Sequence, residues 1–154
     1  MTDADRDAFI QRMLQPVLAA RDQWGILPSI ALAQACLESA YGTRLSAQHN
    51  YVGLKDVSFD AGSGGDILTV EDPAMADAPR RARFENFRNE THCAMTLGRL
   101  LMRVPAYAQY RDALPDPEAC ALALQGVYAM DMNYADKLMQ IVDRHDLRRY
   151  DDAK

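Results

Sequence analysis

Residues 28 to 42 read PSIALAQACLESAYG, and the reading of this stretch decides the fold. Pro28 and Ser29 open a helix and Gly42 closes it, so the pattern predicts a helix over roughly Ser29 to Tyr41. Its residues are apolar on nearly every side, and such a helix runs through the middle of a domain. Glu38 is the only charged residue between Asp22 and Arg44. Gln34 lies one turn earlier on the same face. A carboxylate on a buried helix is costly unless it is paired, metal-bound or kept protonated. Two readings of Glu38 stay open on spacing alone. Desolvation can raise its pKa and make it a general acid near neutrality, or it lies on the helix's one exposed stripe or bonds to a nearby loop.

On the N-terminal side, residues 5 to 22 form an amphipathic helix with Phe9, Ile10, Met13, Leu14, Val17 and Leu18 at helical spacing. Pro16 inside this pattern is expected to kink or split it. Gly25, after Trp24, is the expected C-terminal cap. On the C-terminal side, residues 43 to 65 are rich in Gly, Ser, Asn and Asp and read as loop, with a turn at Gly62 to Gly65. Ile67 to Val70 and Ala82 to Phe87 read as the two arms of a small sheet. Helices resume at Glu90 to Arg103, Asp116 to Gln125 and Asn133 to His145, with Tyr107 and Tyr110 in a short turn or helix. The expected architecture is one α+β domain over residues 1–154, mostly helical, with a small β-lobe at about 56–88. A cleft between such lobes suits an extended ligand.

Bulk properties exclude several classes. A chain of 154 residues fits one domain and buries enough surface to fold without staples. The net charge of −5 argues against nucleic acid, for which a basic surface supplies most of the affinity. Arg80, Arg81 and Arg83 are the only dense basic cluster and read as a solvated loop. No run approaches the ~20 apolar residues of a membrane span. The three cysteines, Cys36, Cys93 and Cys120, have no metal-ligand spacing and no paired framework. Each falls in a helical stretch and reads as a small buried hydrophobe. No local sequence supports a cysteine nucleophile assisted by His49, His92 or His145. The opening MTDADRDAFIQRM lacks the basic and apolar regions of a signal peptide.

Two further groups carry chemistry. Glu71 follows the apolar run 67–70 and precedes Asp72-Pro73. A carboxylate at a strand end is ordinarily just solvated, yet two carboxylates flanking a cleft are the usual equipment for glycoside hydrolysis. The run Tyr128-Ala129-Met130-Asp131-Met132-Asn133-Tyr134 is dense in polar aromatics. Such rings serve as core residues with satisfied hydroxyls, or line a sugar site by stacking and hydrogen bonding.

Segment 33 to 55, AQACLESAYGTRLSAQHNYVGLK, resembles the signature of the family 73 glycoside hydrolases. This is the glucosaminidase domain of autolysins, flagellum-associated wall hydrolases and phage lysins. Gln34, Leu37, Glu38, Ser39, Gly42, Asn50, Gly53 and Lys55 match it. Segment 128 to 138, YAMDMNYADKL, resembles the family's second hallmark, and Phe84 to Phe87 fit the region between. Tyr51 and Val52 depart from the usual Leu-Phe, and Met130 and Met132 from the usual Thr and Pro. The resemblance implies a lysozyme-like fold, a helical lobe with a small β-lobe across a cleft. It implies Glu38 as the general acid, Glu71 as a second carboxylate and Tyr128 as the tyrosine beside the acid. Gln34, Asn50, Asp131 and Tyr134 are implied on the substrate-binding side. The implied substrate is the β-1,4 bond after N-acetylglucosamine in the glycan strands of bacterial peptidoglycan, and the resemblance implies no metal and no organic cofactor.

Three alternatives remain at this level. A lytic transglycosylase on the same fold would use one glutamate and release an anhydro product. A non-catalytic wall-binding module would keep the fold and lose the chemistry. A helical interaction domain would account for the apolar helices alone. The implied partners are wall glycan and, for delivery, a secretion, flagellar or phage release machinery, with no nucleic acid and no membrane. The protein is expected to be made in the cytoplasm and to act in the periplasm or on the cell wall.

Overall fold

The computed structural model describes residues 1–55 and 84–152. The expected strand at 67–70, Glu71, the arginine cluster at 80–83 and most of the expected β-lobe lie outside these residues.

The first helix, α1 (Asp3–Trp24), starts at a reciprocal cap. Thr2 Oγ1 accepts from the Asp5 N–H at 3.1 Å, and Asp5 Oδ2 accepts from the Thr2 N–H at 2.8 Å. Gly25 ends it in the left-handed region at φ 87°, donating to Arg21 O at 2.7 Å. Pro16 does not split the helix. An interior proline costs about 3 kcal/mol, and here the buried face Phe9, Ile10, Met13, Val17 and Ala20 opposes that cost on both sides of it.

The second helix, α2 (Pro28–Glu38), is the axis of the domain, with every residue from Pro28 to Cys36 buried. It packs against α1, α5 (Pro117–Leu124), α6 (Tyr134–Arg144) and a terminal 3-10 turn, Leu147–Tyr150. No side chain of its own caps its first turn. Asp151 does so from across the fold: its Oδ1 accepts from the Ser29 N–H and its Oδ2 from Ser29 Oγ, both at 2.7 Å. The remaining helices are α3 (Glu90–Arg103), which lies along α1, and α4 (Ala108–Ala113), which follows a 3-10 turn at Pro105–Tyr107. Asn89 caps α3 and Asp116 caps α5 through their side chains. The expected helices from Glu90 onward are therefore present: α3 has the expected bounds, and α5 and α6 are each shorter by a residue at both ends, where the expected end residue proves to be the cap.

Of the expected β-lobe, residues 84–88 are described. They pair with the loop after α2 through one antiparallel bridge, Lys55 to Phe84, and the Glu85 N–H donates to Leu54 O at 2.9 Å. Cys36, Cys93 and Cys120 are buried free thiols. Burial pushes each up to about 12, which leaves no thiolate nucleophile at neutral pH.

Candidate active site

The helix predicted to reach Tyr41 stops at Glu38. Ser39 explains the early end. Its Oγ donates to Ala35 O at 2.6 Å and accepts from the Gly42 N–H at 2.8 Å, so the side chain takes over the last turn's bonding. The chain then reverses through left-handed residues, Ala40 at φ 47°, Tyr41 at 57° and Gly42 at 82°. A Cβ on Gly42 would sit 2.7 Å from the Phe9 ring, so only glycine fits there. The non-glycine residues in this conformation cost on the order of 1 kcal/mol each, and such turns collect at functional sites. The Tyr41 hydroxyl lies 2.9 Å from His145 Nε2, which ties the turn to the end of α6.

The early stop puts Glu38 at the C-terminal pole of a buried helix, where the backbone dipole opposes a negative charge. Desolvation acts in the same direction and pushes its carboxyl from an ordinary 4.5 up to about 7, with Lys55 opposing part of the rise.

The loop at residues 50–55 passes over this carboxyl. Asn50 is fully buried and holds the loop closed. Its Nδ2 donates to Leu54 O at 2.7 Å and Glu85 O at 3.0 Å, and its Oδ1 accepts from the N–H groups of Val52 and Leu54 at 3.3 and 3.1 Å. Both amide hydrogens and both carbonyl lone pairs are thereby used, so Asn50 shapes the loop and has no hydrogen-bonding capacity left for a ligand. Arg12 donates to the Tyr51 hydroxyl and pairs with Glu90 at 3.2 Å, fastening the loop to α1 and α3. Gly53, at φ 69°, comes close enough that a Cβ there would lie 2.5 Å from Glu38 Oε2.

The opposite wall comes from the segment between α5 and α6. Tyr128 donates its hydroxyl proton to Val52 O at 2.5 Å. Its ring stacks on Tyr134 at 6.2 Å between centroids and 18° between planes, and meets Tyr107 at 6.3 Å. Burial raises the pKa of both Tyr128 and Tyr134 well above the ordinary phenol, and the Glu38 charge raises it further. They stay neutral donors at any working pH. Gln34 Nε2 donates to Tyr134 Oη at 3.3 Å, while its buried Oε1 has no partner among the described residues.

Of the residues singled out in the sequence, Glu38, Tyr128, Gln34 and Tyr134 converge, and Asn50 frames them from behind. Asp131 stands apart in role. Its carboxylate accepts from the Asn133 N–H at 2.9 Å and pairs with Lys137 at 2.5 Å, so it caps the turn into α6. Hydrogen bonding to Lys137 holds its carboxyl below the usual range. Glu71 lies outside the described residues. Sequence reasoning assigned no role to Gly53, Lys55 or the Tyr107 ring. The Asn-x-x-Gly spacing carried a signal for the first, since a glycine inside a tight loop marks a close backbone approach. Among the described residues, no group of three or more His, Cys, Asp or Glu side chains could hold a metal ion. No helix among them is long and apolar enough to cross a membrane.

Comparison with known proteins accords with this geometry. The peptidoglycan hydrolase FlgJ of Salmonella typhimurium is 31% identical over 147 residues, covering 91% of this chain and 46% of its own. The exo-glucosaminidase LytG of Bacillus subtilis is 29% identical over 159 residues, covering 97% of this chain and 55% of its own. The chain thus spans about half the length of these relatives. The solved glycoside hydrolase domain of Salmonella typhimurium FlgJ superposes with a TM-score of 0.66 at 26% identity, covering 92% of this chain and 88% of that one. Residues 15–147 match the model of the glucosaminidase family, described as mannosyl-glycoprotein endo-beta-N-acetylglucosaminidase, and the chain belongs to that family.

Proposed function

We propose that this chain is a peptidoglycan hydrolase domain, an endo-β-N-acetylglucosaminidase that cleaves the β-1,4 bond after N-acetylglucosamine in wall glycan. The observation that carries the reading is the Glu38 carboxyl: partly buried, at the negative pole of the central helix, with a pKa near 7. A carboxylic acid still substantially protonated at neutrality is what a leaving glycosidic oxygen requires. Glu38 donates its proton to that oxygen as the C1–O bond breaks and the sugar takes on oxocarbenium character. Water then adds at C1 and loses its proton to a base. Glu71 is the proposed second carboxylate, and the substrate's own acetamido group is the other group able to serve. Tyr128, only partly buried, offers a ring face beside the acid for a sugar to stack on, while Val52 O holds its hydroxyl proton and the buried Tyr134 backs the ring. Gln34 supports Tyr134, and Asn50 and Asp131 act through the loops they hold.

The printed names of the relatives support wall glycan as substrate and leave the mode of cleavage wider, since they include the peptidoglycan hydrolase FlgJ and the exo-glucosaminidase LytG. Action on the cell wall, reached through a flagellar, secretion or phage release machinery, is part of the proposal. The test is digestion of purified peptidoglycan by the wild type and Glu38→Gln, with reduced products read by mass spectrometry. Hydrated fragments ending in N-acetylglucosamine are expected from the wild type, with a rate loss of about a thousandfold in the variant. Ends in N-acetylmuramic acid would move the cleaved bond, and anhydro ends would make the enzyme a lytic transglycosylase. Co-sedimentation with wall and no products would make the chain a binding module.

A further inference from the structure

Gly53 stands in an unusual place. Its backbone is left-handed at φ 69°, and a Cβ built on it would fall 2.5 Å from Glu38 Oε2 and 3.4 Å from Glu38 Cδ. The approach is therefore to the tip of one side chain. The loop has little freedom to withdraw, because four hydrogen bonds from Asn50 close it behind Gly53 and Tyr128 holds the Val52 carbonyl on the other side. Glu38 accepts no hydrogen bond from any described residue that would otherwise orient it. Among the described residues, with the loop held and no hydrogen bond holding the acid, contact with the bare Gly53 backbone limits where the carboxyl can point.

We propose that Gly53 is a positioning residue for Glu38: its backbone, lacking a side chain, seats one face of the carboxyl, excludes water from Oε2 and leaves the other oxygen directed toward substrate. The inference rests on the reading of Glu38 as the general acid. Any side chain at this position, however small, must push the carboxyl out of its seat, since the flexible carboxyl gives before a hydrogen-bonded loop does. A displaced carboxyl is wetter, and a wetter carboxyl ionises more readily. The groups facing it among the described residues are Lys55 from the same loop, Tyr128 from the segment before α6 and Tyr134 from α6. The two tyrosines stay neutral, and the Lys55 charge opposes part of the rise at Glu38.

Gly53→Ala and Gly53→Asn separate this from simple loop strain. Asparagine tolerates positive φ far better than alanine does, yet both carry the Cβ. Two readouts are needed: titration of the Glu38 side-chain carboxyl by carbon NMR in the free protein, and kcat and KM on soluble wall glycan across pH. Both variants are expected to fold. In both, the Glu38 midpoint moves down by about one pH unit and the alkaline limb of the kcat profile moves with it. At its optimum kcat falls by about ten- to a hundredfold, as misplacement by an ångström does, while KM stays within about twofold.

Unchanged titration and kcat in both variants would overturn the proposal. So would lost activity with the wild-type titration, since the loss would then belong to the loop's shape. A loss in Gly53→Ala that Gly53→Asn restores would assign the effect to backbone strain and overturn it likewise. The titration needs no substrate, so a wild type without activity on wall would defeat the functional reading while the midpoint still decides the role of Gly53.

Discussion

The two ends of α2 each carry a carboxylate, and they treat it in opposite ways. At the N-terminal end Asp151 meets the positive pole of the helix and accepts two hydrogen bonds from Ser29. At the C-terminal end Glu38 meets the negative pole and accepts none from the described residues. Burial raises the pKa of both. At Asp151 the Ser29 bonds oppose the rise, and at Glu38, among the described residues, the Lys55 charge does. A carboxylate that is satisfied anchors the chain, and one left unsatisfied in the same helix is available as an acid. The cost of the second is borne by a domain whose core supports it.

The sharpest way to break this comparison is to remove the charge at Glu38. A carboxyl whose folded pKa is about 7, against 4.5 when exposed, contributes stability that is fully present below 4.5 and lost as pH rises through 7. Glu38→Gln cannot ionise. It should therefore unfold at a higher denaturant concentration than the wild type at pH 8, by about 3 kcal/mol, and match it near pH 4. Chemical denaturation at the two pH values checks this; equal stability at pH 8 would mean that Glu38 is ionised there without penalty.

The other end should respond in the opposite sense. Asp151→Ala removes the cap and leaves the buried Ser29 N–H and hydroxyl without partners. A loss of about 2 kcal/mol is expected at pH 7, read as a lower melting temperature, with the pH profile of activity unmoved. A shift in that profile would show that the two ends are coupled through the helix. The smallest effect concerns Lys55, the charge that restrains the rise at Glu38. In Lys55→Met the alkaline limb of the kcat profile should move to higher pH by about half a unit, the scale of a partly screened charge. Movement to lower pH would assign the limb to another group.

Local pattern was legible where the forces are local. The bounds of α3 follow from its pattern, and the end of α1 from Gly25. The helix carrying Glu38 was read three residues too long, because SIALAQACLESAY has no breaker before Gly42. The break comes from the Ser39 hydroxyl turning back on the helix and from Phe9, remote in sequence, packing against the reversing turn. Asn50 and Asp131 were read as substrate contacts from their motif positions. Their hydrogen bonds make one a loop clamp and the other a cap, a distinction that depends on which neighbours face the side chain.

By itself the sequence determined which main helices form, that the first is apolar on one face, and that one acidic residue sits alone on the most buried of them. Hydrophobic periodicity and end-capping act over a turn or two of chain, so they can be read in one dimension. Only the tertiary structure decided that Glu38 ends its helix, that Gly53 lies against its carboxyl, that Tyr128 and Tyr134 stack beside it, and that Asp151 caps the far end. Those are desolvation and contact between segments remote in sequence, and they exist only once the chain has closed around α2.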